Sequence, residues 1–203
     1  YEIEDYYYEI EKPKPPFLKY NRNINIGTRK KFTLVLDLDE TLVQCQIDKN
    51  NTEEGTVFLR PGLFQFLDNV FPLFELVIWT VATKDYADPI INIIEKDKTY
   101  FSARLYREYA TIRNKYYVKD LKNLGKPIDK VIIVDDREIS FCLQKENGIL
   151  IKPFLGTEWE CKNDFILFDL YKILSKIVLD KSQDIRKGIN KYKYEIQEKI
   201  TKN

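Results

Sequence analysis

The fold of this chain is decided by the stretch Phe32-Thr-Leu-Val-Leu-Asp37-Leu-Asp39-Glu-Thr41-Leu-Val43. Residues 32–36 are largely apolar without regular alternation, which indicates a parallel strand covered on both faces. Carboxylates follow this strand at once. Because alternate residues of an extended strand share a side, Asp37 and Asp39 can approach one cavity while Leu38 points back to the core.

Two acids at the end of a buried strand can be interpreted in two ways. Ligands of open α/β sheets bind at the carboxyl ends of the strands, so Asp37 and Asp39 predict a metal or phosphate site there. The structural alternative is a helix cap, because Asp and Thr often begin the turn after a strand. A cap accounts for one Asp, but it accounts less well for two acids and Thr41 together.

A second strand ends in the same way. Residues 131–134 are apolar and run directly into Asp135 and Asp136. Carboxylates of both strands at one edge would repel each other and raise their own pKa values, and a divalent cation relieves this repulsion. Oxygen ligands without histidine favour Mg²⁺ over zinc or copper. The alternative is a pair of capping or salt-bridged acids.

Residues of the opposite polarity come from two further segments. The predicted strand Phe74–Trp79 is followed by Thr80, whose hydroxyl, with the backbone N–H groups of residues 81–83, could hold anionic oxygens. Lys119 lies in the apolar and aromatic stretch 116–121. A lone Thr is usually a cap and a lone Lys is usually on the surface. Together, after an acidic strand, they fit a phosphate site where Mg²⁺ and a lysine neutralise a dianion.

Composition excludes several classes of protein. The chain of 203 residues has a net charge of +1 and contains no histidine, which excludes histidine bases, Ser-His triads and His-rich metal sites. Its three cysteines are widely spaced, which indicates a reducing compartment, nuclear or cytoplasmic. No apolar stretch approaches the ~20 residues of a membrane span. Because residue 1 is Tyr rather than Met, we expect a trimmed N-terminus from which a targeting signal could be missing.

The pattern of elements predicts an α/β fold with a doubly wound, mainly parallel central sheet and helices on both faces. We divide the chain into an acidic, tyrosine-rich arm (1–30), one α/β domain (31–180) and a C-terminal amphipathic helix (181–203). The predicted strands are 32–36, 74–79, 103–106, 130–134 and 148–151. The predicted helices are 60–70, 85–96 and 164–179.

The C-terminal segment carries an apolar stripe at helical spacing. We expect this stripe to pack on the core of the domain, and the alternative is that it docks a partner helix or a second copy. The residues of the stripe are Ile185, Ile189, Tyr192, Ile196 and Ile200.

Several ordered motifs between about Phe32 and Leu179 resemble those of one known family. The motifs are Asp37-Leu-Asp-Glu-Thr41, Arg60-Pro-Gly62, Trp79-Thr80 with Tyr86-Ala-Asp-Pro89, Tyr117-Val-Lys-Asp-Leu121 and Val134-Asp-Asp136. They resemble the haloacid-dehalogenase-type phosphatases that act on the C-terminal domain of RNA polymerase II, whose small nuclear and dullard-type members share this arrangement. The resemblance implies a protein serine/threonine phosphatase with a phosphoprotein or phosphopeptide substrate.

The resemblance also implies a role for each site residue. Asp37 would attack phosphorus and form an aspartyl-phosphate, and an Asp with its usual pKa is ionised at pH 7, as a nucleophile must be. Asp39 would be the general acid that protonates the leaving oxygen and then takes a proton from water. Thr80 and Lys119 would bind the transferring phosphoryl group.

The cofactor implied by the resemblance is Mg²⁺. It would be held by the Asp37 carboxylate, the Asp39 backbone carbonyl and Asp136, with Asp135 beside it. The small nuclear members typically have Asp-Asn where this chain has Asp135-Asp136. They also have a longer insertion after the first motif, which forms their peptide pocket, whereas this chain has only the short stretch 44–56.

The surface charge favours a phosphorylated partner. Residues 104–126 contain seven basic and two acidic side chains, a local net charge of +5, although a solvated surface is an equal alternative. The sequence has no nucleic-acid recognition module, so we expect no nucleic-acid partner. The acidic arm could lie on this basic segment and regulate access.

Two other functions stay open. One is a non-catalytic binding module that resembles the mitochondrial translocase receptor of the same fold. The other is a phosphatase for nucleotides or other small phosphates, because the peptide-pocket insertion is absent. Cys45 could be a redox-sensitive thiol, but we expect a buried small apolar residue there.

Overall fold

The structure is a computed structural model that describes residues 30–47, 55–180 and 183–202. Its main element is a five-stranded sheet in which all neighbouring strands are parallel. The strands in chain order are β1 (Phe32–Leu36), β2 (Val43–Ile47), β3 (Gly55–Leu59), β4 (Phe74–Trp79), β5 (Phe101–Leu105), β6 (Thr111–Arg113), β7 (Tyr116–Val118), β8 (Val131–Asp135) and β9 (Gly148–Leu150).

The order of strands in the main sheet is β5-β4-β1-β8-β9. The chain starts in the centre, runs outward to β5, and then returns to the other side of β1. Right-handed crossovers in opposite directions place their connections on opposite faces, which is the doubly wound arrangement. The predicted fold class is therefore confirmed. The predicted strands are all present: 32–36 and 74–79 have the predicted boundaries, and the boundaries of the other three differ by one or two residues.

The helices in chain order are α1 (Leu63–Val70), α2 (Lys84–Ile94), α3 (Glu158–Asn163), α4 (Ile166–Leu179), α5 (Ile185–Lys191) and α6 (Lys193–Ile196). The first helix begins three residues later than predicted because Gly62 at its N-cap has a φ of 77°, a left-handed conformation that ends the preceding turn. Pro89 is the sixth residue of α2, beyond its first turn, so its missing N–H removes one hydrogen bond of the helix.

The two faces of the sheet are covered differently. On one face, alternate strand residues such as Leu34 and Leu76 pack in a single core with the apolar sides of α1, α2, α4, α5 and α6. On the other face, residues such as Val35 and Val77 pack against shorter 3₁₀ segments, Leu121–Leu124 and Glu138–Asn147. Both faces of the strands are thus buried, as the apolar runs predicted.

Two hairpins outside the main sheet were not predicted. Strands β2 and β3 pair antiparallel, and so do β6 and β7. The turn of the second hairpin consists of Asn114 and Lys115, which have φ values of 47° and 70°. Two left-handed residues in succession are typical of the tight turn that suits a twisted hairpin. Of the short stretch after the first acidic motif, residues 44–47 and 55–56 belong to β2 and β3, and residues 48–54 lie outside the described residues.

The C-terminal stripe belongs to the core of the domain. Ile185, Ile189, Ile196 and Ile200 are all at least nine-tenths buried and pack in the same core as α1 and α4. The alternative that these residues dock a partner helix is wrong, because their apolar surface is already covered. The segment is also not one regular helix: α5 and α6 meet at Tyr192, and a π-turn (Gln197–Thr201) follows.

Among the described residues, no helix is both long and apolar enough to cross a lipid bilayer. Nearly all of the predicted arm, residues 1–29, lies outside the described residues, and so does the contact proposed for it.

Candidate functional site

The site lies at the carboxyl edge of the three central strands. Asp37 is the first residue after β1, Asp135 is the last residue of β8, and Thr80 is the first residue after β4. Backbone hydrogen bonds fix two of these positions: Asp37 N–H donates to Val134 O at 3.0 Å, and Thr80 N–H donates to Leu105 O at 2.9 Å. Because β1 lies between β4 and β8 in the sheet, residues distant in sequence meet at this edge.

Lys119 reaches this edge from the second hairpin. Its Nζ atom donates to Oδ1 of Asp37 and to Oδ2 of Asp135, each at 2.6 Å. Its backbone N–H donates to Ser140 O, which ties the end of β7 to the 3₁₀ segment after β8. The side chain of Lys119 is only 1% exposed. A lysine this deeply buried is held in place by its two carboxylate partners.

The charges of these three groups shape one another. Burial raises the pKa of Asp37 well above its usual range, the ammonium of Lys119 opposes this shift, and Asp135 adds to it. Burial by itself would lower the pKa of Lys119, but the two carboxylates raise it, so the lysine stays protonated. The expectation of an ordinary pKa for Asp37 is therefore wrong. Its ionised form depends on cations close by.

Three carboxylates gather where a metal could be held. One oxygen from each of Asp37, Asp135 and Asp136 lies within 4.8 Å of the other two. Burial raises the pKa of Asp136 to about 6, and the charges of Asp135 and Glu40 contribute. A cluster of hard oxygen donors that repel one another fits a divalent cation such as Mg²⁺. The carboxylate of Asp39 is not part of this cluster, so three carboxylates converge among the described residues rather than four.

The side chain of Asp39 faces other groups instead. Its Oδ1 atom accepts a hydrogen bond from the hydroxyl of Tyr86 at 2.6 Å, and its Oδ2 atom accepts one from Thr80 Oγ1 at 3.5 Å. Thr80 Oγ1 in turn accepts the N–H of Ala82 at 3.0 Å. Partial burial raises the pKa of Asp39, against the hydrogen bonds that lower it. Asp39 can therefore hold a proton to a higher pH than an ordinary Asp.

A tight turn separates the two acids of the first motif from β2. The N–H groups of Leu42 and Val43 both donate to Leu38 O, and the N–H of Glu40 donates to Val43 O at 2.7 Å. Glu40 has a φ of 57°, a left-handed conformation that is uncommon outside glycine. This turn brings the chain back on itself and directs Asp37 and Asp39 to different partners.

Arg60 supports the turn of residues 38–43 through a hydrogen bond to Thr41 O. Its guanidinium donates to Oδ2 of Asp164 through Nε at 3.1 Å and Nη2 at 2.9 Å, to Thr41 O at 3.0 Å and to Lys152 O at 2.9 Å. The side chain is fully buried. Neither Arg60 nor Tyr86 was assigned a role from the sequence, because the partners of both are distant in the chain. Their only sequence signal was their place in the quoted motifs.

The basic segment is partly neutralised in the folded chain. Arg104 pairs with Asp88 and Glu95, and Lys119 is buried in the site. Lys126 pairs with Glu75. The basic residues of this segment that are exposed are Arg107, Arg113, Lys115 and Lys122.

Curated proteins similar to this chain include phosphatases and a translocase subunit. CTD small phosphatase-like protein 3 of Caenorhabditis elegans is 35% identical over 182 residues, covering 83% of this chain and 61% of that protein. Nuclear envelope morphology protein 1 of Schizosaccharomyces pombe is 33% identical, covering 61% of this chain and 29% of that protein. Mitochondrial import inner membrane translocase subunit TIM50 of Candida albicans is 31% identical, covering 81% of this chain and 34% of that protein. The chain thus spans less than two thirds of the length of these relatives.

A solved structure shares the fold. The structure of Fcp1, described as an essential RNA polymerase II CTD phosphatase, superimposes with a TM-score of 0.62 at 20% identity, covering 82% of this chain and 66% of that one. A family model described as NLI interacting factor-like phosphatase matches residues 32–186, which include every residue of the site. This chain belongs to the NLI interacting factor-like phosphatase family.

Proposed function

We propose that this chain is a Mg²⁺-dependent protein serine/threonine phosphatase that works through an aspartyl-phosphate on Asp37. The observation that carries the proposal is the hydrogen bond from buried Lys119 to Asp37, next to a cluster of three carboxylates. A buried aspartate that needs cations to be ionised, with a fixed ammonium beside it, is suited to a site that receives a phosphate dianion.

Asp37 is the proposed nucleophile. One of its carboxylate oxygens forms a bond to phosphorus while the bond from phosphorus to the seryl or threonyl oxygen breaks. Asp39 gives its proton to that leaving oxygen. In the second step, Asp39 takes a proton from water, whose oxygen attacks the aspartyl-phosphate and releases inorganic phosphate, so that both carboxyl groups return to their first state.

The charge of the phosphoryl group is balanced by other residues of the site. Thr80 and Lys119 bind its oxygens. Asp37, Asp136 and the backbone carbonyl of Asp39, with Asp135 beside them, would hold Mg²⁺, and the donor set of hard oxygens fits that ion. When bound, Mg²⁺ supplies positive charge that neutralises the carboxylates and the phosphoryl oxygens.

The proposed substrate is a phosphoserine or phosphothreonine peptide, in the manner of the C-terminal repeats of RNA polymerase II. The exposed basic residues of the segment 104–126, among them Arg107 and Lys122, would attract a phosphorylated chain. The three cysteines, Cys45, Cys142 and Cys161, are free thiols, which supports a reducing compartment, nuclear or cytoplasmic.

The second candidate function is a non-catalytic binding module, which the similarity to TIM50 favours. A binding module has no need for a buried lysine between two carboxylates, an arrangement that apolar residues of similar volume can often replace without loss of stability. A phosphatase for small phosphates is a further alternative. A comparison of substrates separates both of these from a protein phosphatase.

The test is phosphate release from p-nitrophenyl phosphate, a nucleotide monophosphate and a phosphoserine peptide, with Mg²⁺ or with EDTA. We expect Mg²⁺-dependent turnover with the highest kcat/KM on the peptide, and a loss of more than roughly 10³-fold in the Asp37→Asn variant. The control variant Asp129→Asn removes a carboxylate outside the site and keeps full activity. Inertness of the wild type supports the binding module, and a preference for the nucleotide supports the small-phosphate enzyme.

A further inference from the structure

We propose that Tyr86 is a positioning residue for Asp39: its hydroxyl holds Oδ1 of the carboxyl so that Oδ2 faces Thr80 and the leaving group. This inference rests on the proposed function, because it takes Asp39 to be the general acid. It adds a fixed orientation to that role and assigns the orientation to a residue on α2.

The contact is short and well supported. The hydroxyl of Tyr86 donates to Asp39 Oδ1 at 2.6 Å, whereas Thr80 contacts Oδ2 at 3.5 Å, the limit of a hydrogen bond. The strong contact is therefore on one oxygen and the weak contact is on the other. A hydrogen bond from a phenol to a carboxyl oxygen at this distance is short, and it becomes charge-assisted and stronger when Asp39 gives up its proton.

Tyr86 itself has little freedom to move. It is the third residue of α2, its ring is half-buried, and it packs against the core that the helix shares with the sheet. The neighbouring Ala87 is fully buried and fixes this turn of the helix. The thiol of Cys45 on β2 is a further polar neighbour of the Tyr86 hydroxyl. A rigid donor of this kind can fix a carboxyl group that would otherwise rotate about its χ2 angle.

The orientation of Asp39 matters because of where Thr80 lies. Thr80 is at the end of β4, next to the nucleophile strand, and is proposed to bind the phosphoryl group. If Thr80 holds the phosphoryl group, the oxygen of Asp39 that faces Thr80 is the one placed to reach the departing oxygen. Loss of the Tyr86 hydroxyl leaves the acid in place but free to rotate away, which reduces proton transfer without removing a substrate contact.

The experiment measures kcat/KM for a series of small phosphate monoesters at one pH. The value of kcat/KM reports the step in which the leaving group departs. p-Nitrophenolate departs without a proton, whereas an alkoxide needs one. A less effective general acid therefore makes kcat/KM depend more steeply on the leaving group. For Tyr86→Phe we expect the ratio of kcat/KM values between p-nitrophenyl phosphate and an alkyl phosphate to rise by roughly ten-fold, part of the ~10²–10⁴-fold that a general acid contributes. KM is expected to stay within about two-fold.

Two controls make the result decisive. Tyr100→Phe removes a hydroxyl that donates to Asp68 at 3.0 Å, at the other end of the sheet, and should change neither the ratio nor the rates. Asp39→Asn should steepen the leaving-group dependence further than Tyr86→Phe does. Melting temperatures of all variants are recorded, so that a purely structural effect, which lowers every rate by the same factor, is recognised.

Each other outcome overturns one statement. If Asp39→Asn steepens the dependence and Tyr86→Phe does not, the positioning role of Tyr86 is wrong and the proposed function stands. If Tyr86→Phe raises KM or lowers all rates equally, Tyr86 binds substrate or supports the fold instead. If Asp39→Asn leaves the dependence unchanged, the general acid of the proposed function is wrong, and the role of Tyr86 falls with it.

Discussion

Lys119 and Asp37 are 82 residues apart in the sequence, and their Nζ and Oδ1 atoms are 2.6 Å apart in the fold. The contact joins the end of the central strand to the end of a small hairpin outside the main sheet. Because a second carboxylate, Asp135, accepts from the same ammonium group at the same distance, the lysine is the single cation that balances two buried acids among the described residues. The stability of the site therefore depends on it.

Lys119→Met tests this dependence. Removal of one partner from a buried ion pair costs about 3–5 kcal/mol, because the remaining carboxylates stay buried without a cation. We expect a loss of about 3 kcal/mol in urea unfolding with EDTA, and a smaller loss with Mg²⁺, because a cation in the cluster replaces part of the missing charge. An equal loss in both conditions would mean that no cation binds beside Asp37.

Asp136→Asn should have the opposite effect on the metal-free protein. The folded-state pKa of Asp136 is raised to about 6, mainly by burial and by Asp135. A raised carboxyl pKa means that the ionised form costs stability above pH ~6 and costs nothing below the unfolded value of ~4. We expect the variant to be more stable than the wild type by ~1 kcal/mol at pH 8 in EDTA, because partial exposure screens the repulsion.

This gain should shrink to zero as the pH falls towards 4. Added Mg²⁺ should stabilise the wild type more than the variant and reduce the difference at pH 8. Unfolding by urea from pH 4 to 8, with and without Mg²⁺, measures both effects. A variant that is less stable than the wild type at pH 8 in EDTA would contradict the repulsion.

Asp39 sets the expected pH dependence of turnover. Its pKa is raised by burial, so the carboxyl keeps its proton at a higher pH than an ordinary Asp. A general acid must be protonated, and kcat/KM for an alkyl phosphate should therefore fall as the pH rises through the pKa of Asp39, which gives an optimum on the acid side of neutral. The measurement is a profile from pH 5 to 8. A flat profile would mean that proton donation by Asp39 does not limit the rate.

Arg60 and Asp164 are expected to be strongly coupled. Arg60→Met leaves Asp164 buried without its cation and leaves the carbonyls of Thr41 and Lys152 without this donor. We expect a loss of about 3–5 kcal/mol for this variant and a coupling energy of ~2 kcal/mol in a double-mutant cycle with Asp164→Asn.

The matched control for this cycle is Lys162→Met. Lys162 pairs with Glu158 at 2.6 Å, but both side chains are more than two-thirds exposed. Such a surface pair contributes at most ~0.5 kcal/mol, so the control should unfold like the wild type. Additive losses for Arg60→Met and Asp164→Asn would show that the buried pair does not act as a unit.

The main sheet could be predicted because its strands are buried on both faces. Residues 32–36 and 131–134 are almost continuously apolar, and short apolar runs that alternate with helical stretches are typical of parallel strands. The acids that follow them could also be assigned to one edge, since parallel neighbours end on the same side. The same reasoning identified Thr80, and the apolar and aromatic surroundings of Lys119 identified the lysine; the structure brings both to that edge.

The hairpins and the supporting contacts could not be predicted in this way. Residues 43–47 and 55–59 lie outside the main sheet and mix Gln, Gly and Thr with apolar residues, so neither stretch is an apolar run of strand length. The partners of Tyr86 and Arg60 are set by tertiary packing, which spacing along the chain does not encode. The prediction that the carboxylate of Asp39 lies beside those of Asp37, Asp135 and Asp136 was wrong for the same reason. Spacing along the chain does not show that Asp39 contacts Tyr86 instead.

The most direct test of the central claim is to locate the covalently bound phosphate. In the Asp39→Asn variant with Mg²⁺ and p-nitrophenyl phosphate, the first step proceeds with a good leaving group, but the water of the second step lacks its base. After acid quenching and proteolysis, mass spectrometry should find one phosphoryl group on Asp37, and none when EDTA replaces Mg²⁺. Phosphate on another residue, or full turnover by Asp37→Asn, would contradict the account.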